Sequence, residues 1–332
     1  MSVIYGNPII AGGGGLELVA NVADGATVTA TLGSKTVTGV SSGGQARLKI
    51  PQEGKWTVSA TNGAQASFPQ KIDVSVPATI DIALVSNELN DNSWAAIKQV
   101  SDANIGANFW SVGDCKQITM NGKVSDGLTL TNYSAWVFII GFNHNAEREG
   151  NGIAFQGFKS TKNGTPVCLT DNSYSNNKAS GTWFNMNNSN DNSGGWRDCL
   201  MRKNVMPLIK SAFPADLQSV IKPSTVFTTQ GTGNVACTAT EDEVFLLSEY
   251  EVFGTRKYSS SQEPNYLKQY AYYSAGNSKV KYKHNATSAA ARWWERSPNA
   301  GASNAFCYVN PGGNADAGNV AFSYGVSPAF KV

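Results

Sequence analysis

The sequence predicts two domains, an all-β sandwich followed by a larger α+β unit. Three observations carry this. The chain has 332 residues, more than one typical domain holds. Its first quarter alternates β-branched and polar residues in short runs, and that pattern changes at Ser86–Asn92. Charged residues make up 15% against 41% hydrophobic, with 33 Gly, which suits β structure with long polar loops better than a helical bundle.

Residues 1–11 read as a leader, and AGGGG (Ala11–Gly15) as a flexible hinge. In the first domain, residues 12–85, the runs LELVANV, ATVTATLG, KTVTGVS, QARLKI, KWTVSA, QKIDVSV and TIDIAL are separated by Gly, Asn or Pro turns at short, even intervals. This spacing predicts a small antiparallel sandwich. Trp56 and Phe68 are its expected large core residues. In pattern it resembles immunoglobulin-like and carboxypeptidase-regulatory-like modules.

The second unit, residues 86–332, opens with NSWAAIKQVSDAN, a predicted helix capped by Ser93, with Trp94, Ile97 and Val100 on one face. FWSVGDCKQITMNG and SAWVFIIGF read as strands, and residues 143–195, rich in Asn, Ser and Gly, as a loop region. GWRDCLMRKNVMPLIKSAF returns to helical spacing through Trp196, Leu200, Met201, Met206, Leu208 and Ile209, with Pro207 dividing it into two helices. PADLQSVI is a further short helix. STVFTT, DEVFLLSEYEVFG, RWWERS, AFCYVN and VSPAF then read as strands. Helices early and strands late make this unit α+β.

The formal net charge of +2 argues for neither a nucleic-acid partner nor an acidic membrane surface. No apolar run reaches bilayer length, so membrane insertion is not expected. MSVIYGNPII lacks the charged and apolar regions of a secretory signal, so synthesis in a cytoplasm is expected. The five cysteines, Cys115, Cys168, Cys199, Cys237 and Cys307, form no CxxC pair. That opposes structural zinc and favours reduced, buried thiols.

Catalysis needs groups of matched pKa at short range, and the chain offers few. His144 and His284 are the two histidines, and each reads as a loop or strand-end residue bonded to backbone. There is no GxSxG elbow, Walker loop or HExxH. Carboxylates cluster in TEDEVFLLSEYE. On the strand reading Glu249 and Glu251 share one face, Glu241–Glu243 form a turn, and a solvated edge or pairing with Arg202, Arg256 or Arg296 accounts for them. NNSNDNS lacks the glycine and charge of an EF-hand loop. EPN (Glu263–Asn265) coincides with a short sugar-and-calcium motif of C-type lectins, but the partner Trp-Asn-Asp is missing. No cofactor, no metal and no enzymatic activity are expected.

The closing stretch, residues 292–332, has bulky ends and a permissive middle. From Asn299 to Tyr324 it contains no Lys, Arg, Glu, Gln, Met, Leu, Ile or Trp. Most of the residues it does contain can be reached from an Asn codon by changing adenines alone. Strand-like WWERSP, FCYVN and GVSPAF frame it, and a rigid frame around changeable loops is a binding design.

SWAAIKQVSDAN, WVFIIGFNHN, GGWRDCLMR…MPLIKSAFPADLQSVIKP, EDEVFLLSEYEVFG, QYAYYSAGNSKVK and WWERSP…FCYVN…GNA…GVSPAF together resemble a domain family of unknown function from bacteriophages and gut bacteria, over about residues 88–332. The tail is similar to the variable regions of proteins diversified by retroelements, such as phage tropism determinants, whose known members have a C-type lectin fold. That resemblance implies an α+β C-type-lectin-like domain in which Trp293, Trp294 and Phe306 anchor the core and Glu295 and Arg296 support loops. It implies a ligand-binding face of Asn299, Ala300, Gly301, Ala302, Asn304, Tyr308, Asn310, Asn314, Asp316, Asn319, Phe322 and Tyr324.

The implied function is a phage-tail or virion-associated receptor-binding protein for a bacterial cell-surface protein or glycan. The sandwich would meet other tail proteins, and the assembly would be a homotrimer. The alternatives are a bacterial or prophage-encoded adhesin and a structural virion protein without ligand binding. A third, the sulfatase-activating oxidation carried by some C-type-lectin-like folds, needs paired reactive cysteines that this spacing does not supply.

Overall fold

The computed structural model describes residues 15–63, 65–171, 181–234 and 236–332. The expected leader, residues 1–11, and the expected hinge up to residue 14 lie outside the described residues. The chain is β-rich and divides into two compact units, Met1–Asn87 and Glu88–Val332.

Among its described residues the first unit holds eight strands: β1 (Leu16–Asn21), β2 (Thr27–Leu32), β3 (Lys35–Val40), β4 (Gln45–Ile50), β5 (Gly54–Asn62), β6 (Gln65–Ala66), β7 (Gln70–Val74) and β8 (Ala78–Asp81). They form one sheet in the order β4-β1-β8 and a second in the order β3-β2-β5-β6, with β7 also on β5. Successive side chains on a strand point to opposite faces, so the alternating apolar residues meet in one core. Leu18 and Ala20 of β1, Val28 and Ala30 of β2, Leu48 and Ile50 of β4, and Trp56 and Val58 of β5 fill it. The Trp56 indole N–H donates to the Gln52 carbonyl at 3.1 Å. Two expectations need correction. Phe68 is only half-buried, because it falls between β6 and β7, off the alternation that carries side chains inward. The sandwich is not wholly antiparallel: β8 arrives from the second sheet and runs parallel to β1.

In the second unit Ser93 accepts the Ala96 N–H at 3.1 Å and starts α1 (Trp94–Asp102), whose Trp94, Ile97 and Val100 are buried as their spacing predicts. The main sheet has the order β20-β11-β10-β9, from β9 (Cys115–Ser125), β10 (Leu128–Phe142), β11 (Ile153–Lys159) and, far along the chain, β20 (Ala329–Lys331). Trp94 meets Phe155 of β11 edge-on at 5.4 Å and Phe330 of β20 at 6.2 Å, which seats α1 on this sheet. The strand expected from Phe109 begins only at Cys115, after a 3-10 turn at Gly106–Asn108.

The region expected as loop, residues 143–195, contains a short helix, α2 (Ala146–Glu149), the central strand β11 and the short strand β12 (Val167–Cys168). β11 is covered on both faces over Ile153–Phe158, so it lacks the alternation that marks a half-exposed strand. The helical stretch is α3 (Gly195–Asp198), a π-helical turn (Met201–Val205) and α4 (Met206–Ala212). Pro207 does not divide it. It stands in the first turn of α4, where a missing N–H is tolerated, and the winding changes just before it. α5 (Ala215–Gln218) follows as expected.

β13 (Ser224–Thr229) pairs antiparallel with β14 (Cys237–Asp242). The rest of DEVFLLSEYEVFG is not strand. A capping box, in which Ser248 and Glu251 each bond the other's backbone N–H, starts α6 (Glu249–Phe253). After α7 (Ala271–Ser274), β15 (Lys281–Lys283) and β16 (Ala286–Ala291) join β12. The tail then forms a sheet in the order β17-β18-β19 from β17 (Trp293–Pro298), β18 (Ala305–Val309) and β19 (Ala315–Asn319), and ends in β20.

Candidate functional site

The frame of the tail is buried as expected. Trp293, Trp294 and Phe306 are inaccessible to solvent. Both indoles are held through their N–H groups, Trp293 to the Lys279 carbonyl at 2.9 Å and Trp294 to the Phe184 carbonyl at 2.8 Å. Above Trp294 lies an aromatic stack. Tyr324 packs on it at 4.5 Å, Tyr308 meets Tyr324 at 4.9 Å, Phe322 meets Tyr324 at 6.0 Å, and the Arg292 guanidinium sits 5.6 Å from the Tyr324 ring.

The turn between β17 and β18 is held from outside the tail. Asn192 is almost fully buried and aims its amide nitrogen at three backbone carbonyls, Asn299 at 3.1 Å, Ala302 at 3.0 Å and Ala305 at 2.9 Å. Its backbone N–H donates to the Ser303 carbonyl at 2.6 Å. Thr232 completes the anchor, donating its N–H to the Asn192 side-chain oxygen at 3.0 Å and its hydroxyl to the Asn299 carbonyl at 2.7 Å. Every one of these bonds to the tail ends on main-chain atoms. The turn's shape is therefore independent of the side chains it carries at 300–304.

The structure separates the twelve expected face residues into two sets. In the first set the side chains build the scaffold. Asn299 is buried, and its oxygen accepts the N–H groups of Gly301 and Ala302 at 2.7 and 3.2 Å. Asn310 does the same for Gly312 and Asn314 at 3.0 and 3.1 Å in the β18–β19 turn. Asp316 accepts the Tyr308 hydroxyl at 2.8 Å, and Asn319 donates to Asn190 at 2.6 Å while accepting the Ala321 N–H at 3.0 Å. Tyr308 and Tyr324 are buried within the aromatic stack. Short polar side chains closing their own turns are the familiar chemistry of Asn and Asp.

In the second set, Ala300, Gly301 and Asn314 are exposed, and Ala302, Asn304 and Phe322 are half-exposed. The Asn304 and Asn314 side chains make no hydrogen bond among the described residues. Asn188, Ser189, Asn190, Asp191 and Ser193 are exposed on the loop that carries Asn192, at the Asn304 end of the β18–β19 pair, where Asn190 accepts from Asn319. Some small residues of the tail are dictated by packing. A Cβ on Gly318 would lie 2.9 Å from both the Tyr308 and Tyr324 rings, and Gly313 has φ +80° with Val280 3.0 Å from its missing Cβ.

Of the other candidates, Glu249 and Glu251 are neither on a strand face nor at a solvated edge, and both are buried on α6. Arg296 grips Glu251 with two bonds, at 2.5 and 2.7 Å; burial works against its charge, but Glu251 and the other acids outweigh it and hold the guanidinium pKa above its ordinary value. Arg202 pairs with Asp242 at 2.6 Å. His144 is not held by a backbone bond as expected: it is buried and stacked on Tyr270 at 3.6 Å, and burial lowers its pKa to about 4. His284 behaves as expected, accepting the Thr170 N–H at 3.2 Å. The donor atoms of His144, Glu149 and Glu251 lie within 4.8 Å of one another, a metal-like spacing. Two protein cations already serve this group, Arg296 on Glu251 and Lys331 on Glu149 at 3.0 Å. The charges balance, and we read it as an internal ion network. Glu263 of EPN is fully buried, so that triplet offers no carboxylate to a sugar.

All five cysteines are free, four of them buried. Burial pushes the Cys168 and Cys199 thiols up to about 12, the opposite of what a reactive thiolate needs. An open groove of about 350 Å³ lies beside α4 and β14, lined by Arg202, Met206, Lys210 and Glu243 among others. Its Lys210 and Glu243 pair at 2.6 Å. No helix among the described residues is long and apolar enough to cross a membrane.

Residues 166–332 match a family model described as a domain of unknown function, DUF6273. The chain belongs to this family. No curated protein and no solved structure matches it. The DUF6273 match contains β12 to β20 and so the whole candidate face. Its last strand, β20, pairs with β11, which precedes the match, so the folded unit extends beyond the matched segment.

Asn192, Asn190 and Thr232 were not among the expected site residues. Asn192 is 113 residues from Ala305, and an Asn within NNSNDNS carries no mark of a buried partner so far away.

Proposed function

We propose that this DUF6273 protein is a receptor-binding protein of a phage tail or virion. Its second unit is read as a C-type-lectin-like domain whose tail face binds a bacterial surface protein or glycan, and its first as an immunoglobulin-like adaptor. The observation that carries the reading is the anchoring of the 299–305 turn by Asn192 and Thr232 through main-chain atoms alone. Such a turn can exchange the residues at 300, 301, 302 and 304 without losing its shape, which a diversified binding surface requires. Exposed Asn and Ser supply adaptable hydrogen bonds, as in antibody paratopes. Small side chains make each site shallow, so useful avidity would come from several copies on one particle, a homotrimer being the simplest.

The test is binding of the labelled full chain to a panel of gut bacterial strains, against a variant carrying Ala300→Arg, Asn304→Arg and Asn314→Arg. Strain-selective binding that the variant loses, at unchanged melting temperature, is the expected result. Equal binding by both chains would overturn the tail face as the site. Binding by neither would favour a structural virion role.

A further inference from the structure

The loop that carries Asn192 is a run of short polar side chains, NNSNDNS, and holding the tail turn occupies only part of it. Asn192 turns inward, while Asn188, Ser189, Asn190, Asp191 and Ser193 are exposed. The Asn187 amide donates to the Asp191 carbonyl at 2.8 Å and closes residues 188–190 into a tip. Exposed side chains of this size ordinarily turn freely in water. Three of these do not, because each is held through one oxygen. The buried Asn185 amide donates to the Asn188 side-chain oxygen at 3.1 Å. Asn319 donates to that of Asn190 at 2.6 Å. The Ser193 N–H and hydroxyl both donate to Asp191 Oδ1, at 2.9 and 2.8 Å. What remains is fixed in direction: the amide nitrogens of Asn188 and Asn190 as donors, and Asp191 Oδ2 as an acceptor. The Ser193 bonds also hold the Asp191 carboxyl below its ordinary pKa, so the acceptor persists at mildly acid pH.

This tip is seated against the tail by backbone bonds. The Asn187 N–H donates to the Val320 carbonyl at 3.2 Å, and the Val320 N–H to the Asn304 carbonyl at 3.0 Å. Asn319, which holds Asn190, stands opposite Ala305 in the β18–β19 register. Asn190, Asn319 and the free Asn304 side chain therefore share one end of that strand pair.

We propose that the Asn188–Asp191 tip and the Asn304 end of the tail together bind a neutral glycan through adjacent hydroxyls of its sugar rings. The inference rests on the receptor-binding reading above and narrows its ligand to a saccharide. A sugar hydroxyl both donates and accepts, so neighbouring hydroxyls match fixed donors beside a fixed acceptor. Neither segment, 185–196 or 297–330, contains Lys or Arg, so neither offers a counter-charge to an anionic group. Residues 187–193 and 299–304 contain no aromatic side chain, so this end lacks the anchors that dominate protein–protein interfaces. Side chains already ordered in the free protein lose little entropy on binding. The loop would supply contacts that stay constant while residues 300–304 change.

The test uses the full chain and a bacterial strain that it binds, with the cells intact, treated with protease, or treated with periodate, which breaks sugar rings between adjacent hydroxyls. Binding should survive protease, be lost after periodate, and be competed by polysaccharide extracted from the same strain. If both treatments abolish binding, that competition decides. Asn188→Asp combined with Asp191→Asn keeps the net charge and both held oxygens but exchanges donor for acceptor at each position. This variant should bind at least about tenfold more weakly at unchanged melting temperature, the loss of roughly one hydrogen bond. Binding that ignores periodate and is lost after protease would overturn the glycan inference and leave the receptor-binding reading standing. A double variant that binds as well as the unaltered chain would take the loop out of the site. A chain that binds no strain would remove both readings.

Discussion

The side-chain amide of Asn192 lies 2.9 Å from the carbonyl oxygen of Ala305 and 3.1 Å from that of Asn299, and so clamps both ends of one tail turn. Two N–H groups are shared among several acceptors here, and no other described side chain duplicates the arrangement. Asn192→Ala would leave those carbonyls short of donors. The expected loss is about 2 kcal/mol in urea denaturation, with faster hydrogen exchange confined to residues 299–305. Unchanged exchange in that turn would refute the clamp.

Substitutions on the exposed and packed sides of the tail should separate cleanly. Ala300→Ser and Asn304→Ser change no contact of the scaffold and should move stability by less than about 0.5 kcal/mol. Gly318→Ala must push the rings of Tyr308 and Tyr324 apart and should cost about 1–3 kcal/mol. Denaturation midpoints of the three variants decide the matter.

Arg296 and Glu251 form a fully buried, two-bonded ion pair. Arg296→Met leaves Glu251 charged and unpaired, so a loss of about 3–5 kcal/mol is expected. Arg296→Lys cannot reproduce the two-bonded fork and should recover only part of it. Calorimetry on the three chains would rank them, and a Lys chain as stable as the original would count against the fork.

His144 supplies a pH test. Its pKa falls from 6.5 to about 4 on folding because burial penalises the imidazolium. Between these values the unfolded chain binds the proton and the folded chain does not. Stability from this group is therefore fully present above about pH 6.5 and is lost as pH falls towards 4, by about 3 kcal/mol in all. The buried Glu149 carboxyl is shifted up and runs the other way, so the comparison must be a difference. Stability of the unaltered chain minus that of His144→Phe should rise from pH 4 to 6.5. A flat difference would show that His144 is not held neutral.

Much of the fold was legible where a residue's neighbours in sequence are also its neighbours in space. Period-two alternation located β1 to β5, and Ser93 before Trp94 located α1. The capping signal at Ser248 and Glu251 was equally present in the sequence, but the apolar run VFLL ahead of it suggested a continuing strand. β11 escaped because burial on both faces erases alternation, and because Asn and Gly surround it. Of the candidate face, the frame of Trp293, Trp294 and Phe306 was legible from bulk and pattern. The division between Asn304, whose side chain is free, and Asn299, which closes its own turn, was not.

By itself the sequence determined the two units, most strands, the leading helix and the place of a permissive segment within a rigid frame. These follow from local rules, hydrophobic period and capping, that act over a few residues. Only the tertiary structure decided which Asn side chains are scaffold, that Asn192 and Thr232 hold a turn far along the chain, and that Glu295 and Glu263 are drawn into the interior, Glu263 bonded to Ser297 through one oxygen. Those facts depend on hydrogen-bond satisfaction and charge balance in a closed interior, which are set by contacts between segments and leave no periodic trace along the chain.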